Sequence, residues 1–106
     1  MKKIQEEIVF LIRKALNGEV EIEEFYDSFP DEIKESNLFY RAVYDDIEAA
    51  VEHFPASIIK GTLKTDFFKK SIEYRNLLLD LELLNSNIEE DMLYNERKKR
   101  IYKKDI

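Results

Sequence analysis

The chain has 106 residues, of which 38% are charged and 44% hydrophobic, and it has two glycines, two prolines and no cysteine. This length suits one domain with a modest core, and seven Phe and six Tyr argue against intrinsic disorder. The lack of cysteine excludes disulfides and thiolate sites, and the formal net charge of −6 points away from a polyanionic partner. The scarcity of glycine and proline favours helices over a turn-rich β-sandwich or barrel.

Apolar residues at intervals of three and four predict three helices in the first half of the chain. These helices cover residues 2–16, 21–29 and 37–54. Gly18 is the expected stop of the first helix, because glycine tolerates the left-handed conformation of a helix end. Pro30 ends the second helix or begins a short turn through Ile33, and Ser36 is the expected N-cap of the third.

The second half of the chain predicts a connector followed by two further helices. The connector covers residues 56–64, and Thr65 is the expected N-cap of a fourth helix that runs to about Leu84. Leucines surround most of the circumference of this helix, so we expect it to lie centrally and to contact several others. Residues 86–89 match a capping box, which predicts that a last helix starts near Ile88.

The predicted fold is all-α, an antiparallel bundle of four or five helices in one domain covering residues 1–106.

Charge is unevenly distributed along the chain. Residues 19–52 carry twelve acidic side chains against two basic ones, whereas residues 97–106 carry six basic side chains against one acidic. We expect residues 97–106 to form a basic tail whose final turns are frayed or face solvent. The acidic stretch is either a docking surface for a cationic partner or an ordinary solvated surface.

The residue types needed for catalysis are poorly represented. His53 is the only histidine, and the sequence identifies no nucleophile or orienting carboxylate to work with it. Asp45 and Asp46 diverge by about 100° on a helix, so they do not face one cation together. The two glycines are too far apart to form a phosphate-binding loop. We therefore predict that the protein is not an enzyme and uses no cofactor and no metal.

Two further patterns bear on location and on nucleic acids. The apolar run at residues 8–12 is too short for a secretion signal or a membrane span, so we expect a cytoplasmic protein without membrane contact. The basic ending has the charge to track phosphates, but cations also stabilise a helix C-terminus and the acidic segments would repel a polyanion. We therefore expect no nucleic-acid partner.

A series of motifs runs through residues 4–55. It consists of a first helix ending in a leucine–glycine turn, a short acidic helix carrying Glu-Phe, and a helix with aromatic and acidic faces. In this chain the series reads Phe10-Leu11-Ile12, Leu16-Asn17-Gly18-Glu19-Val20, Glu24-Phe25, Phe29, Asp45 and Phe54-Pro55. It resembles the small helical immunity proteins that neutralise bacterial nuclease toxins, the colicin D immunity type in particular.

This resemblance implies an immunity protein that covers the substrate-binding surface of a cationic nuclease toxin domain with an acidic helical face. Carboxylates would steer the encounter and pair with the partner's cations, and Tyr40 and Tyr44 would be aromatic anchors. An alternative place for Tyr26, Tyr40 and Tyr44 is a half-buried position at the edge of the core. The residues expected to contact the partner are Asp27, Asp31, Glu32, Tyr40, Tyr44, Asp45, Asp46, Glu48 and Glu52.

A second hypothesis belongs to a different functional class. The chain would be a structural helical module that self-associates or bridges a larger assembly. Exposed leucines and tyrosines of the fourth and fifth predicted helices would form a symmetric interface, and a homodimer that buries residues 77–84 would favour this hypothesis. Sedimentation distinguishes the two hypotheses in part, because an immunity protein of this kind is expected to be a monomer or a weak homodimer.

Overall fold

The computed structural model describes residues 2–59 and 62–104, and the secondary structure in these ranges is helical without a strand. The all-α prediction is therefore confirmed. A 3-10 turn at Glu90–Met92 precedes the last helix. The helices are α1 (Lys2–Leu16), α2 (Ile22–Ser28), α3 (Asp31–Ser36), α4 (Leu38–His53), α5 (Ala56–Ile59), α6 (Thr62–Lys69), α7 (Ile72–Leu84) and α8 (Leu93–Lys104).

The end of α1 is where the sequence predicted it, and Gly18 is the reason. Its φ of 68° is left-handed, and two backbone hydrogen bonds, from Gly18 N to Ala15 O at 3.0 Å and from Glu19 N to Lys14 O at 2.9 Å, close the helix end. A Cβ at this position would lie 2.6 Å from Cγ2 of Ile59. The lack of a side chain at Gly18 therefore permits both the left-handed turn and the close approach of α5.

The segment around Pro30 differs from the prediction in detail. A separate short helix, α3, follows the proline in place of a turn through Ile33. Asn37, and not Ser36, caps α4: its Oδ1 accepts hydrogen bonds from the backbone N–H groups of Phe39 at 2.8 Å and Tyr40 at 3.2 Å. Asn37 has the extended backbone of an N-cap residue, whereas Ser36 still belongs to the last turn of α3.

The second half of the chain is more broken than predicted. The expected connector contains α5 and the start of α6, with residues 60 and 61 outside the described ranges. Thr65 lies within α6, and the predicted long helix is interrupted at residues 70–71, where Ser71 Oγ accepts a hydrogen bond from Tyr74 N and caps α7. The final helix begins at Leu93 and not near Ile88, because a 3-10 turn at Glu90–Met92 precedes it. Ser86 donates its hydroxyl to Glu82 O, at the end of α7.

The core is centred on α4 and α7, which pack against each other. As predicted, α7 contacts several helices: α1, α4, α6 and α8. Its leucines at positions 77, 79, 83 and 84 are buried, and Leu78 is exposed. Most of the leucines that the self-association hypothesis would use at residues 77–84 therefore belong to the protein's own core. No helix among the described residues has the length and apolar character needed to cross a membrane.

Candidate protein-binding surface

Six of the predicted contact residues keep their carboxylates at or near the surface of α2, α3 and α4. We call this set the acidic face, and α2 and α3 both pack against α4. All six are exposed except Glu48, which is partly exposed. Spacings of three and four residues place the three members from α4 along one side of that helix. The acidic face comprises Asp27, Asp31, Glu32, Asp45, Glu48 and Glu52.

Tyr44 lies beneath this face and not on it. Its side chain is buried, and its ring contacts Phe25 and Phe29 at centroid distances of 4.8 and 5.2 Å. Lys34 covers the ring, with Nζ 4.2 Å from the centroid, and the Arg41 guanidinium is 5.6 Å away. The expectation that Tyr44 anchors a partner is therefore wrong, because Phe25, Phe29 and two cations enclose its ring.

The cations above Tyr44 also neutralise part of the acidic face. Lys34 pairs with Asp31 at 3.3 Å and Arg41 pairs with Asp45 at 3.5 Å. The carboxylate of each pair is well exposed, and ion pairs of this kind contribute only about 0–1 kcal/mol, so a partner can replace them at little cost. The remaining carboxylates of the face make no ion pair with another described residue.

Tyr26 is the aromatic residue that the acidic face does expose, and it was missing from the predicted contact set. Its side chain is 44% exposed, and its hydroxyl donates a hydrogen bond to Oε2 of Glu48 at 2.8 Å. This hydrogen bond, with smaller effects of burial and of the nearby Glu48 and Glu52 charges, raises the pKa of Tyr26 to about 12. The spacing of four residues between Phe25 and Phe29 places both on the buried side of this segment. Tyr26 directly follows Phe25, so the same spacing indicates that Tyr26 points to a different side.

The expectation that Tyr40 anchors a partner is also wrong. Its side chain is only 1% exposed, and it packs edge-on against Phe39 with a centroid distance of 5.7 Å. Burial and the Glu90 carboxylate raise the pKa of its hydroxyl. Tyr40 therefore joins α4 to the 3-10 turn that precedes α8, and it is not available to a partner in this fold.

The expectation that Asp46 contacts a partner is wrong as well, because its carboxylate points away from the acidic face. It accepts hydrogen bonds from Arg97 Nη2 at 2.5 Å and from Asn76 Nδ2 at 3.4 Å, and the residue is buried. Arg97 also donates from Nε to Oδ1 of Asp80 at 2.9 Å. The expected basic tail is wrong at this residue: Arg97 belongs to α8, which continues through Lys104, and its side chain is only 12% exposed. Lys98 and Lys99 face solvent as expected, and residues 105 and 106 lie outside the described ranges.

Among the described residues, His53 belongs to no group of side chains that would hold a metal ion. His53 is exposed at the end of α4, and its Nδ1 lies 3.5 Å from Oε1 of Glu73. In residues 2–59 and 62–104, no group of three or more His, Cys, Asp or Glu side chains is placed to hold a metal ion. The acidic face itself presents carboxylates, which accept charge-assisted hydrogen bonds from cations.

Comparisons of the chain with protein-family models, with curated proteins and with solved structures give no match. The resemblance to nuclease immunity proteins therefore stays a prediction from residues 4–55.

Proposed function

We propose that this protein is an immunity protein that binds a cationic nuclease toxin domain and covers its substrate-binding surface with the acidic face. The observation that carries the proposal is the display of six carboxylates by three consecutive helices packed around Tyr44. Carboxylates accept charge-assisted hydrogen bonds from Lys and Arg, as backbone phosphates of nucleic acids do. The same carboxylates speed the encounter of oppositely charged surfaces.

Within this proposal, Tyr26 takes the anchoring role that the sequence assigned to Tyr40 and Tyr44. Tyrosine suits such a position because it buries a large area at low entropic cost and retains a polar tip. Its hydrogen bond to Glu48 also fixes that carboxylate before a partner arrives. A carboxylate that is already oriented loses less conformational freedom on binding.

Lys34 and Arg41 occupy the positions that a partner's cations would take. They sit over Tyr44 and pair with Asp31 and Asp45, so a bound guanidinium or ammonium group would exchange with them. Because exposed charges are screened by salt, the complex would form more slowly as ionic strength rises. We place the interaction in the cytoplasm, where a nuclease toxin meets its nucleic-acid substrate.

The test is an association measurement with the basic nuclease domain of a toxin encoded beside this gene. Reversing both Asp45 and Glu48 to Lys is expected to slow association about tenfold or more at low ionic strength, with a smaller change at high salt. The matched control reverses Glu89 and Asp91, which are exposed outside the acidic face and give the same change in net charge.

Equal slowing in both variants would show that only total charge matters. An unchanged association rate after reversal of Asp45 and Glu48 would show that the acidic face is not the binding surface. Sedimentation of the free protein tests the self-association hypothesis in the same preparation. A stable dimer that survives substitution of Leu78, the exposed leucine of α7, would show that Leu78 is not part of the dimer interface.

A further inference from the structure

Three charged side chains meet inside the bundle, where α4, α7 and α8 come together. Asp46 belongs to α4, Asp80 to α7 and Arg97 to α8. Asp80 is completely buried, Asp46 is 9% exposed, and the Arg97 side chain is 12% exposed. We call these three residues the buried charge cluster. It lies apart from the acidic face, and the proposed function does not use it.

The charges of this cluster do not balance if both carboxyl groups are ionised. One guanidinium faces two carboxylates, and its hydrogen bonds use Oδ2 of Asp46 and Oδ1 of Asp80. Oδ2 of Asp80 is buried without a hydrogen-bond partner among the described residues. An ionised Asp80 carboxyl group buried beside the Asp46 carboxylate costs several kcal/mol, so Asp80 is favoured in its protonated form, with the Asp46 carboxylate as the acceptor for its O–H group.

Within residues 2–59 and 62–104, Arg97 is the cation that acts on Asp80. Among the described residues, the charged groups that act on it are Asp46 from α4 and Arg97 from α8. The other two helices packed against α7 contribute apolar side chains to the core, Ile8 and Ile12 from α1 and Phe68 from α6. Asn76, on α7 itself, donates to Asp46 and leaves the charge unchanged.

We propose that the buried charge cluster is a pH-sensitive latch that holds α8 on the bundle while Asp80 carries a proton and loosens it when that proton is lost. With one proton the cluster is neutral, and α8 is docked through Arg97. Without it, a net negative charge is trapped between three helices, and moving α8 away lets water reach Asp46 and Asp80. The proton leaves the Asp80 carboxyl group for solvent, and no covalent bond other than that O–H changes.

Helix α8 is the element that such a latch would release. Among its described side chains Leu93 is fully buried, whereas Tyr94 and Ile101 are half-buried. An exposed ion pair between Arg100 and Glu82 at 2.8 Å also links α8 to α7. A helix with so few buried apolar contacts opens locally at lower cost than the core helices.

The direction of the pH effect follows from the proton balance. Burial raises the pKa of Asp80 well above its ordinary value, Asp46 raises it further, and Arg97 acts in the opposite direction. The closed form therefore holds a proton that the open form releases. The equilibrium constant for opening α8 should rise up to tenfold per pH unit between about pH 4 and the raised pKa of Asp80, and should then level off.

The experiment uses the full chain, followed by carboxyl-carbon NMR and by hydrogen exchange of the α8 amides corrected for intrinsic exchange rates. We expect Asp80 to titrate well above the ordinary range of about pH 4, and the protection of α8 to fall over the same pH interval. Asp80→Asn, which imitates the neutral carboxyl group, should keep α8 protection constant with pH. Glu82→Gln, which removes the exposed link between the same two helices, should keep the wild-type pH dependence.

The latch is refuted if Asp80 in the wild-type protein titrates in the ordinary aspartate range. It is also refuted if α8 protection stays constant while Asp80 titrates, or if Asp80→Asn and the wild type lose protection in parallel. The titration of the wild-type protein shows whether Asp80 departs from the ordinary aspartate range even if the Asp80→Asn variant folds poorly.

Discussion

Replacing Arg97 with methionine should destabilise the protein far more than the loss of a charge from a basic tail would. The substitution keeps a long side chain of similar shape but leaves Asp46 and Asp80 buried without their cation. Removing one partner of a buried ion pair costs about 3–5 kcal/mol. At about 4 °C per kcal/mol for a domain of this size, the expected loss in Tm is about 12–20 °C.

Thermal and urea unfolding followed by far-ultraviolet circular dichroism measure this loss. The matched control is Arg100→Met, almost one turn further along α8, which removes the exposed ion pair with Glu82. That pair is expected to contribute about 0–1 kcal/mol. Equal losses in the two variants would show that Arg97 does not hold α8 to α4 and α7.

A combination of substitutions separates charge from packing at the same site. If the unpaired carboxylates cause the loss, adding Asp46→Asn and Asp80→Asn to Arg97→Met should restore at least half of the free energy of unfolding. A triple variant that is no more stable than Arg97→Met would assign the loss to side-chain packing and would refute the electrostatic reasoning.

Two further predictions concern the cap of α4 and the tyrosine of the acidic face. Asn37→Ala should lower the free energy of unfolding by about 1 kcal/mol in urea titrations, because two backbone N–H groups lose their acceptor, and Ser36→Ala should cost clearly less. Equal costs would mean that Asn37 is not the cap. Glu48→Gln should lower the pKa of Tyr26 from about 12 towards 10 in an ultraviolet absorbance titration of tyrosinate, because the charged acceptor is gone. Asp27→Asn is its control, and an equal shift there would exclude a specific contact.

Helix positions were predictable where one local signal dominated. The apolar spacing of residues 2–16 and the glycine that follows give α1 its observed bounds, and the apolar spacing of residues 37–54 locates α4 to within one residue at each end. The region from residue 56 to 93 was predicted less well. Several polar residues there can cap a helix, and the choice of Ser71 over Thr65 depends on how α6 and α7 pack.

The candidate surface was predicted only in outline. Sequence shows that residues 19–52 are acidic, and the exposed position of most of these carboxylates agrees with the amphipathic pattern. It does not show that Asp45 faces solvent while Asp46 faces Arg97, 51 positions along the chain. It also does not distinguish Tyr40, which is buried, from Tyr26, which is exposed.

The amino-acid sequence by itself determined the all-α class, the amphipathic helices and the acidic character of the first half, because these depend on residues within a few positions of one another. Only the tertiary structure decided which charges are neutralised internally, which tyrosine reaches the surface and that Arg97 belongs to the interior. Those outcomes depend on contacts between helices that are distant in the chain. Helical periodicity specifies which side of a helix is buried, but not which neighbour it meets.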